Sequence, residues 1–372
     1  MNAQTLPQFF ELIRSGLWGA KADASLFEGG ADWNALARIA SMQSLSCIFA
    51  DGAGTLPKAF LPPADIARKL YVVTEGTRRA NLQLNAVLGE LESMLRSEGI
   101  EGILLKGQGV ARNYLVPEHR MCGDIDLYTG RDYRRSCELV RNFGEQEGRE
   151  DESEKHFHFK RRGCTIEIHR YVTVSPDPFK NRRLQAWADS QLGDPSKLRP
   201  AEIGGSMINL PPVSFDSVFL LHHIAGHLIK GGIGLRQLCD WCRHLHVHAA
   251  EIDRAALERD LRSLGLMNCW QLMGWLAVNR LGLPEEEMPF YSAAHGRKAL
   301  RCLGIILRKG NFGHYDKAAR RNTDIHFVLR KIQSCFIVVK QEAELLTIIP
   351  SEVLRYLPWY LLDGIRRVFT NK

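Results

Sequence analysis

The sequence predicts an α/β core with large helical flanks, and two observations predict it. Short apolar runs of strand length alternate with helical patterns between residues 99 and 213. Helical periodicity dominates the chain before and after this stretch, in residues 1–98 and 214–372. We therefore predict a small mixed sheet, of the α/β or α+β class, between a helical N-terminal region and a helical C-terminal domain.

The composition is that of an ordinary globular protein, with 372 residues, 45% hydrophobic and 24% charged. The net charge of +7 is spread along the chain, which suits an anionic small substrate, and no basic stripe with interleaved aromatics indicates a nucleic-acid binder. We expect no signal peptide and no membrane span, because the N-terminus and the apolar runs lack those patterns. The nine scattered cysteines predict reduced thiols and a cytoplasmic protein.

A long helix is predicted from Ala64 to Ser97, after a proline-rich break and before Gly99 as its C-terminal stop. The core then reads as strand, helix, strand, helix and hairpin, with a polar acidic loop before the hairpin. These segments are 102–105, 108–115, 124–128, 132–143, the loop 145–154, and the hairpin arms 156–160 and 164–171. Later segments are a helix at 179–192, a strand at 206–210, and helices at 215–230, 235–246, 253–264, 268–281, 293–307, 323–346 and 353–369.

Two aspartates on the second predicted strand are the first candidate for chemistry. Asp124 and Asp126 are separated by one apolar residue, so in a strand both carboxylates lie on one face while Ile125 and Leu127 face a core. Adjacent carboxylates repel each other and are costly to leave unpaired. A divalent cation removes that cost, and Mg²⁺ prefers carboxylate and phosphate oxygens.

A third carboxylate follows on the second arm of the hairpin. Glu167 stands between two isoleucines and shares its predicted face with His169. Upstream, the first strand ends at Lys106-Gly107 before a helix, a turn that can receive phosphate oxygens. Three carboxylates on neighbouring strands and this turn predict a two-metal phosphoryl-transfer site. The alternative is two surface carboxylates, a capping glycine and an unrelated glutamate.

The order of these segments resembles the nucleotidyltransferase core of the DNA polymerase β-like superfamily. More narrowly, it is similar to a bacterial family of uncharacterised nucleotidyltransferases, over about residues 80–315. The motifs that carry the resemblance are Leu104-Leu105-Lys106-Gly107, Arg120 with Asp124-Ile125-Asp126-Leu127, Ile166-Glu167-Ile168-His169, the helix with His223 and His227, Leu235-Arg236-Gln237-Leu238 with Asp240, and Gly310-Asn311-Phe312-Gly313.

The resemblance implies Mg²⁺-dependent transfer of a nucleoside monophosphate from a nucleoside triphosphate such as ATP, with release of pyrophosphate. It implies that Asp124 and Asp126 bind the metal ions and that Glu167 is the third carboxylate. The implied nucleotide-binding residues are Lys106, Gly107, Arg120, His169 and Asp240, in a cleft between the core and the C-terminal helices. The acceptor, whether small molecule, glycan or protein, stays open.

One departure from the superfamily concerns the turn, where Lys106-Gly107 stands in place of the usual Gly-Ser or Gly-Gly. Either Lys106 contributes a charged phosphate contact or the phosphate grip is weaker. Two other function classes also stay open, namely a catalytically inactive nucleotide-binding module and a module whose helical C-terminal domain binds a partner.

Several of these residues also have structural interpretations. Arg120 can pair with the aspartates, Asp240 with Arg236 on one helix turn, and His169 can be a hydrogen-bonded core histidine. We expect His156 and His158 to form a solvated hairpin edge. The remaining candidates for a metal are His223 and His227, one helical turn apart, and Cys239 and Cys242, for which buried thiols are the preferred interpretation over zinc.

Overall fold

The computed structural model of this chain describes residues 4–144, 156–175, 177–315, 338–340 and 342–369. The predicted acidic loop 145–154 and residues 323–337 of the predicted helix 323–346 lie outside the described residues. The chain divides into two compact units. Unit 1 comprises Met1–Ala37, Leu45–Val174 and Leu184–Asp216, and unit 2 comprises Arg38–Ser44, Ser175–Arg183 and Ser217–Lys372.

Helices dominate both ends of the chain, as predicted. They are α1 (Thr5–Trp18), α2 (Trp33–Met42), α3 (Ser46–Ala53), α4 (Ala64–Ser97), α5 (Gly107–Ala111), α6 (Tyr133–Phe143), α7 (Pro178–Leu192), α8 (Val213–Lys230), α9 (Leu235–Val247), α10 (Arg254–Leu264), α11 (Met267–Asn279), α12 (Gly296–Lys309) and α13 (Pro350–Phe369). The long predicted helix is confirmed with its bounds as α4. Within the described residues, no helix combines the length and the apolar character that crossing a bilayer requires.

Unit 1 holds a mixed sheet, which confirms the predicted fold class. Its strands are β1 (Ile103–Leu104), β2 (Asp124–Tyr128), β3 (His156–Arg161), β4 (Cys164–His169), β5 (Arg199–Ile203) and β6 (Ser206–Leu210). They lie in the order β3-β4-β2-β1-β6-β5. Strand β2 is antiparallel to β1 and parallel to β4, β1 is parallel to β6, and the two outer pairs are antiparallel hairpins. The pairing of β2 with β4 brings two distant chain segments side by side.

The sheet has one apolar face and one polar face around β2, β4 and β3. Ile125, Leu127, Ile166, Ile168 and Phe157 are nearly inaccessible and belong to the unit's hydrophobic core. Leucines of α4 and apolar residues of α6 pack in the same core, so these helices cover the apolar face. Because successive strand residues alternate between faces, the acidic residues and the histidines of the same strands lie on the opposite face, whereas Arg161 at the end of β3 lies on the helix side and contacts Glu90.

A tight turn sets the register of the β3–β4 hairpin. Arg162 and Gly163 form a two-residue connection with φ of 49° and 73°, the positive values that turns between twisted strands favour. Arg161 therefore pairs with Cys164, and every pair up to His156 with His169 follows from that pairing. A one-residue shift would move all the polar side chains to the core face.

Three differences from the sequence-based expectations have a clear physical basis. Strand β5 was not predicted, because Pro200 and its neighbours resemble a connector, but an edge strand tolerates proline. Helix α5 ends at Ala111 instead of 115, since Asn113 and Tyr114 donate to carbonyls three residues back and tighten its end. Helix α8 begins at Val213, so Ser214 lies inside it rather than before it.

Unit 2 has its own aromatic core. The rings of Trp241 and Trp270 meet edge to face at 4.8 Å, and Trp241 Nε1 donates to the carbonyl of Ser217 over 3.0 Å. Cys239 and Cys242 on α9 are fully buried, which confirms the predicted buried thiols. Burial raises the pKa of both thiols, so they stay protonated at neutral pH.

A buried acid on α4 makes the stability of unit 1 pH-dependent. The Glu92 side chain is 2% exposed, and burial, opposed by Arg96 at 3.1 Å, raises its pKa to about 7. Between the unfolded pKa near 4.5 and about 7, the folded state keeps a proton that the unfolded state has released. The contribution of Glu92 to the free energy of unfolding is therefore largest at low pH and falls as the pH rises to about 7.

Glu92→Gln is expected to remove this loss. Wild type should lose free energy of unfolding between pH 5 and pH 8, and the variant should not. The difference between the variant and wild type should therefore be larger at pH 8 than at pH 5, by about 2 kcal/mol. Urea unfolding at both pH values measures this difference. The matched control is Glu98→Gln immediately after α4, which replaces a half-exposed carboxylate and should change the free energy of unfolding by less than about 1 kcal/mol. A Glu92→Gln difference that does not change with pH would refute the assignment.

Candidate active site

The polar face of β2, β4 and β3 carries the candidate site. In the parallel pair, Asp126 lies directly opposite Glu167. In the hairpin, Glu167 lies opposite His158, and His169 lies opposite His156. Directly opposite residues share a sheet face, so all five side chains lie on one surface. The structure thus brings Asp126, Glu167 and His169 together as neighbours.

His169 links the two carboxylates. Its Nε2 lies 2.8 Å from Asp126 Oδ1 and 3.2 Å from Glu167 Oε2, and both the histidine and the aspartate are almost completely buried. The second oxygen of Asp126 lies 3.0 Å from Lys106 Nζ. On the other side of the ring, His169 Nδ1 lies 3.3 Å from the carbonyl oxygen of Tyr171. Two cationic groups therefore meet the buried aspartate, one at each oxygen.

These contacts set the charges of the site. Burial opposes ionisation of Asp126, but the Lys106 ammonium and His169 outweigh it and hold the pKa of the carboxyl well below its usual range. Burial likewise opposes ionisation of Glu167, yet its hydrogen bond with His169 keeps the pKa of this carboxyl below normal. Burial opposes protonation of His169, but Asp126 and Glu167 raise its pKa. Both carboxylates are therefore ionised at neutral pH, and the protonated imidazole is favoured.

The turn between β1 and α5 has an unusual backbone. Lys106 has φ 63° and ψ −145°, a combination of backbone angles that residues other than glycine rarely adopt. Gly107 follows with φ 52°, and a Cβ there would lie 3.4 Å from the carbonyl oxygen of Asp124. The positive φ explains why glycine occupies position 107. The turn also directs the Lys106 ammonium to Asp126.

The remaining predicted residues lie in different surroundings. Asp124 is opposite Thr165, on the same face as Asp126, and is partly buried. Arg120 is 5% exposed in the segment before β2, where its Nη1 lies 3.0 Å from Cys122 Sγ. Asp240 is 4% exposed on α9 in unit 2. The ion pairs at the centre of the site join four of the predicted residues, Lys106, Asp126, Glu167 and His169.

His156 is the neighbour whose place was not anticipated. Instead of a solvated edge, its side chain is only 25% exposed, and its Nε2 lies 3.8 Å from Glu167 Oε2. His158, two residues further along the same strand, is exposed, as expected for the edge. Counting residue pairs outward from the Arg162-Gly163 turn would have revealed the position of His156 opposite His169.

The residues fit a divalent cation. Oxygens of Asp126 and Glu167 converge on one nitrogen, and ionised carboxylates are the preferred ligands of hard cations. One ligand atom each from His156, Glu167 and His169 also lie within 4.8 Å of one another. In the structure, Lys106 and His169 supply the positive charge beside these carboxylates. Carboxylates on rigid, neighbouring strands are an arrangement suited to phosphoryl transfer.

Comparison with known proteins identifies a family for this chain. No curated protein and no solved structure matches the chain. A family model described as an uncharacterised nucleotidyltransferase matches residues 29–282, which is more than half of the chain and includes every strand of the sheet. The chain therefore belongs to this family of uncharacterised nucleotidyltransferases, and a general nucleotidyltransferase function is supported.

Proposed function

We propose that this protein transfers a nucleoside monophosphate from a nucleoside triphosphate, ATP in the first instance, to a hydroxyl or phosphate group of an acceptor, with release of pyrophosphate. One observation carries the proposal. Asp126 and Glu167 lie opposite each other on adjacent parallel strands, and both contact the same nitrogen of His169. Membership of a nucleotidyltransferase family supports the reaction class.

In this reaction an acceptor oxygen bonds to the α-phosphorus, and the bond from that phosphorus to the pyrophosphate oxygen breaks. Where the acceptor is a hydroxyl, its proton passes to Glu167, whose carboxylate is ionised and 23% exposed. Asp124, Asp126 and Glu167 would hold two divalent cations, Mg²⁺ in the simplest form. Such cations stabilise charge on the transferred phosphoryl group and on the leaving pyrophosphate.

Phosphate binding is assigned to the turn before α5. Lys106 already holds its ammonium against the site, and Gly107 has no side chain to obstruct an approaching phosphate. Helix α5 has only five residues, so the Lys106 charge carries this role rather than a helix dipole. Arg120, His169 and Asp240 remain proposed nucleotide contacts.

The acceptor class stays open among small molecules, glycans and proteins. We propose a cytoplasmic location, in which thiols stay reduced. Eight cysteines in the described part of the chain are free, and seven of them are buried.

A second candidate is a nucleotide-binding module without transfer activity. It is favoured by the fact that both oxygens of Asp126 already contact cationic side chains, Lys106 and His169. Such a protein would bind a nucleoside triphosphate, but no pyrophosphate would appear.

Thermal unfolding and pyrophosphate release together test the proposal. Millimolar triphosphate with Mg²⁺ or Mn²⁺ is expected to raise the melting temperature by about 2 °C or more, because binding to the native state stabilises it by mass action. Each α-labelled triphosphate, with cell lysate as the acceptor source, should yield pyrophosphate and a labelled product only with the metal. A melting shift without pyrophosphate supports the second candidate, and no shift refutes both.

A further inference from the structure

We propose that His156, Glu167 and His169 form a binding site for a divalent first-row transition ion, such as Mn²⁺, which Mg²⁺ does not replace at equal concentration. The inference deepens the proposed function and rests on it only for the role of the ion, since the site itself follows from the side chains. It adds His156 as a ligand and changes the kind of cation expected beside Glu167.

The backbone positions the three ligand atoms together. His156 and His169 are directly opposite in the hairpin, and their rings lie 5.2 Å apart. Glu167 Oε2 lies 3.2 Å from Nε2 of His169 and 3.8 Å from Nε2 of His156. The carboxylate oxygen is therefore the common neighbour of both imidazoles. The backbone positions of these residues are fixed by strand pairing, so only side-chain torsions remain to be adjusted when an ion binds.

A supporting contact orients the buried imidazole. His169 Nδ1 lies 3.3 Å from the carbonyl oxygen of Tyr171, so Nδ1–H can donate there. Metal-binding histidines usually make such a bond with their other nitrogen, because it fixes the tautomer and the ring orientation. A metal ion at Nε2 replaces the proton that the metal-free imidazole holds between Asp126 and Glu167, so metal binding releases a proton. Asp126 Oδ1, 2.8 Å from the same Nε2, is a further oxygen in reach.

The donor set determines the class of ion. Mg²⁺ takes oxygen ligands in a strict octahedron and retains its waters, whereas imidazole nitrogen suits Zn²⁺, Fe²⁺, Ni²⁺ and Cu²⁺ among the first-row transition ions. Mn²⁺ binds a given site more weakly than these ions, so retention of Mn²⁺ against Mg²⁺ is the strictest test of the donor set. Two imidazoles and one carboxylate match the first-row transition ions. The His156 and Glu167 side chains are 25% and 23% exposed, which leaves one side of the site open to solvent and to oxygens of a bound substrate.

Metal binding without nucleotide tests the site. Full-length protein, stripped with a chelator, is titrated with Mn²⁺ and followed by calorimetry and electron paramagnetic resonance. Wild type should bind Mn²⁺ with nitrogen couplings from imidazole, and an equal concentration of Mg²⁺ should not displace the ion. His156→Ala should weaken binding by about 10-fold or more. His158→Ala is the matched control, on the same strand face but exposed, and should bind within about twofold of wild type.

Each outcome is decisive for the site. Absence of Mn²⁺ binding by wild type would overturn the proposal in favour of an ion-pair network only. Binding without nitrogen coupling, or equal binding by His156→Ala and wild type, would overturn it in favour of a metal site that does not use His156. If His156→Ala is not folded by circular dichroism, His156→Gln provides the same comparison. Intact Mn²⁺ binding without pyrophosphate release would refute nucleotidyl transfer but leave the metal site standing.

Discussion

Asp126→Asn is expected to abolish nucleotidyl transfer and to destabilise unit 1 as well. We expect kcat to fall by at least about 10³-fold, because a neutral amide cannot hold a divalent cation beside the transferred phosphate. The same change removes the charge that Lys106 and His169 contact at 3.0 and 2.8 Å in a nearly inaccessible position. Leaving buried charges unpaired is expected to cost about 2 kcal/mol or more. Pyrophosphate release and urea unfolding measure the two effects.

Asp124→Asn separates the two effects. Asp124 lies on the same strand face but is only partly buried, so its replacement should reduce transfer equally while changing the free energy of unfolding by less than about 1 kcal/mol. Wild-type turnover in either variant would defeat the metal assignment. Loss of transfer in a stable Asp124 variant would show that the loss does not come from unfolding.

The faces of the strands could be predicted from the sequence because side-chain direction has a period of two. Asp124 and Asp126 alternate with Ile125 and Leu127, and the structure has the isoleucine and leucine in the core. The same rule predicted the direction of Glu167 and His169. The alternation of apolar and charged residues along each strand therefore predicts which side chains share a face. This prediction does not require knowing which strands pair.

Strand order could not be predicted in the same way. The contact between Asp126 and Glu167 requires β4 to pair in parallel with β2, a long-range choice that no local pattern encodes. His156 was misjudged for a different reason, since the local hairpin register, which the Arg162-Gly163 turn sets, places it opposite His169 and near Glu167 although its strand lies at the edge of the sheet. The extended, positive-φ backbone of Lys106 also has no signature in the sequence, because lysine disfavours it.

Lys106 combines a strained backbone with a charge at the site, and two substitutions separate these properties. Lys106→Met removes the ammonium but keeps a side chain at φ 63°, whereas Lys106→Gly removes the ammonium and relieves the backbone. Both should lower kcat/KM by about 10²-fold, because each loses the phosphate contact and leaves Asp126 with one cationic neighbour fewer.

The stabilities of the two Lys106 variants should differ although their activities agree. Glycine adopts this conformation without the strain that costs other residues about 1–3 kcal/mol, so Lys106→Gly should be more stable than Lys106→Met by about 1 kcal/mol. Urea unfolding at neutral pH compares them directly.

Without the ammonium, the pKa of Asp126 should also rise, and activity in both variants should require a higher pH than in wild type. Wild-type kcat/KM in Lys106→Gly would mean that the turn, and not the charge, binds the phosphate.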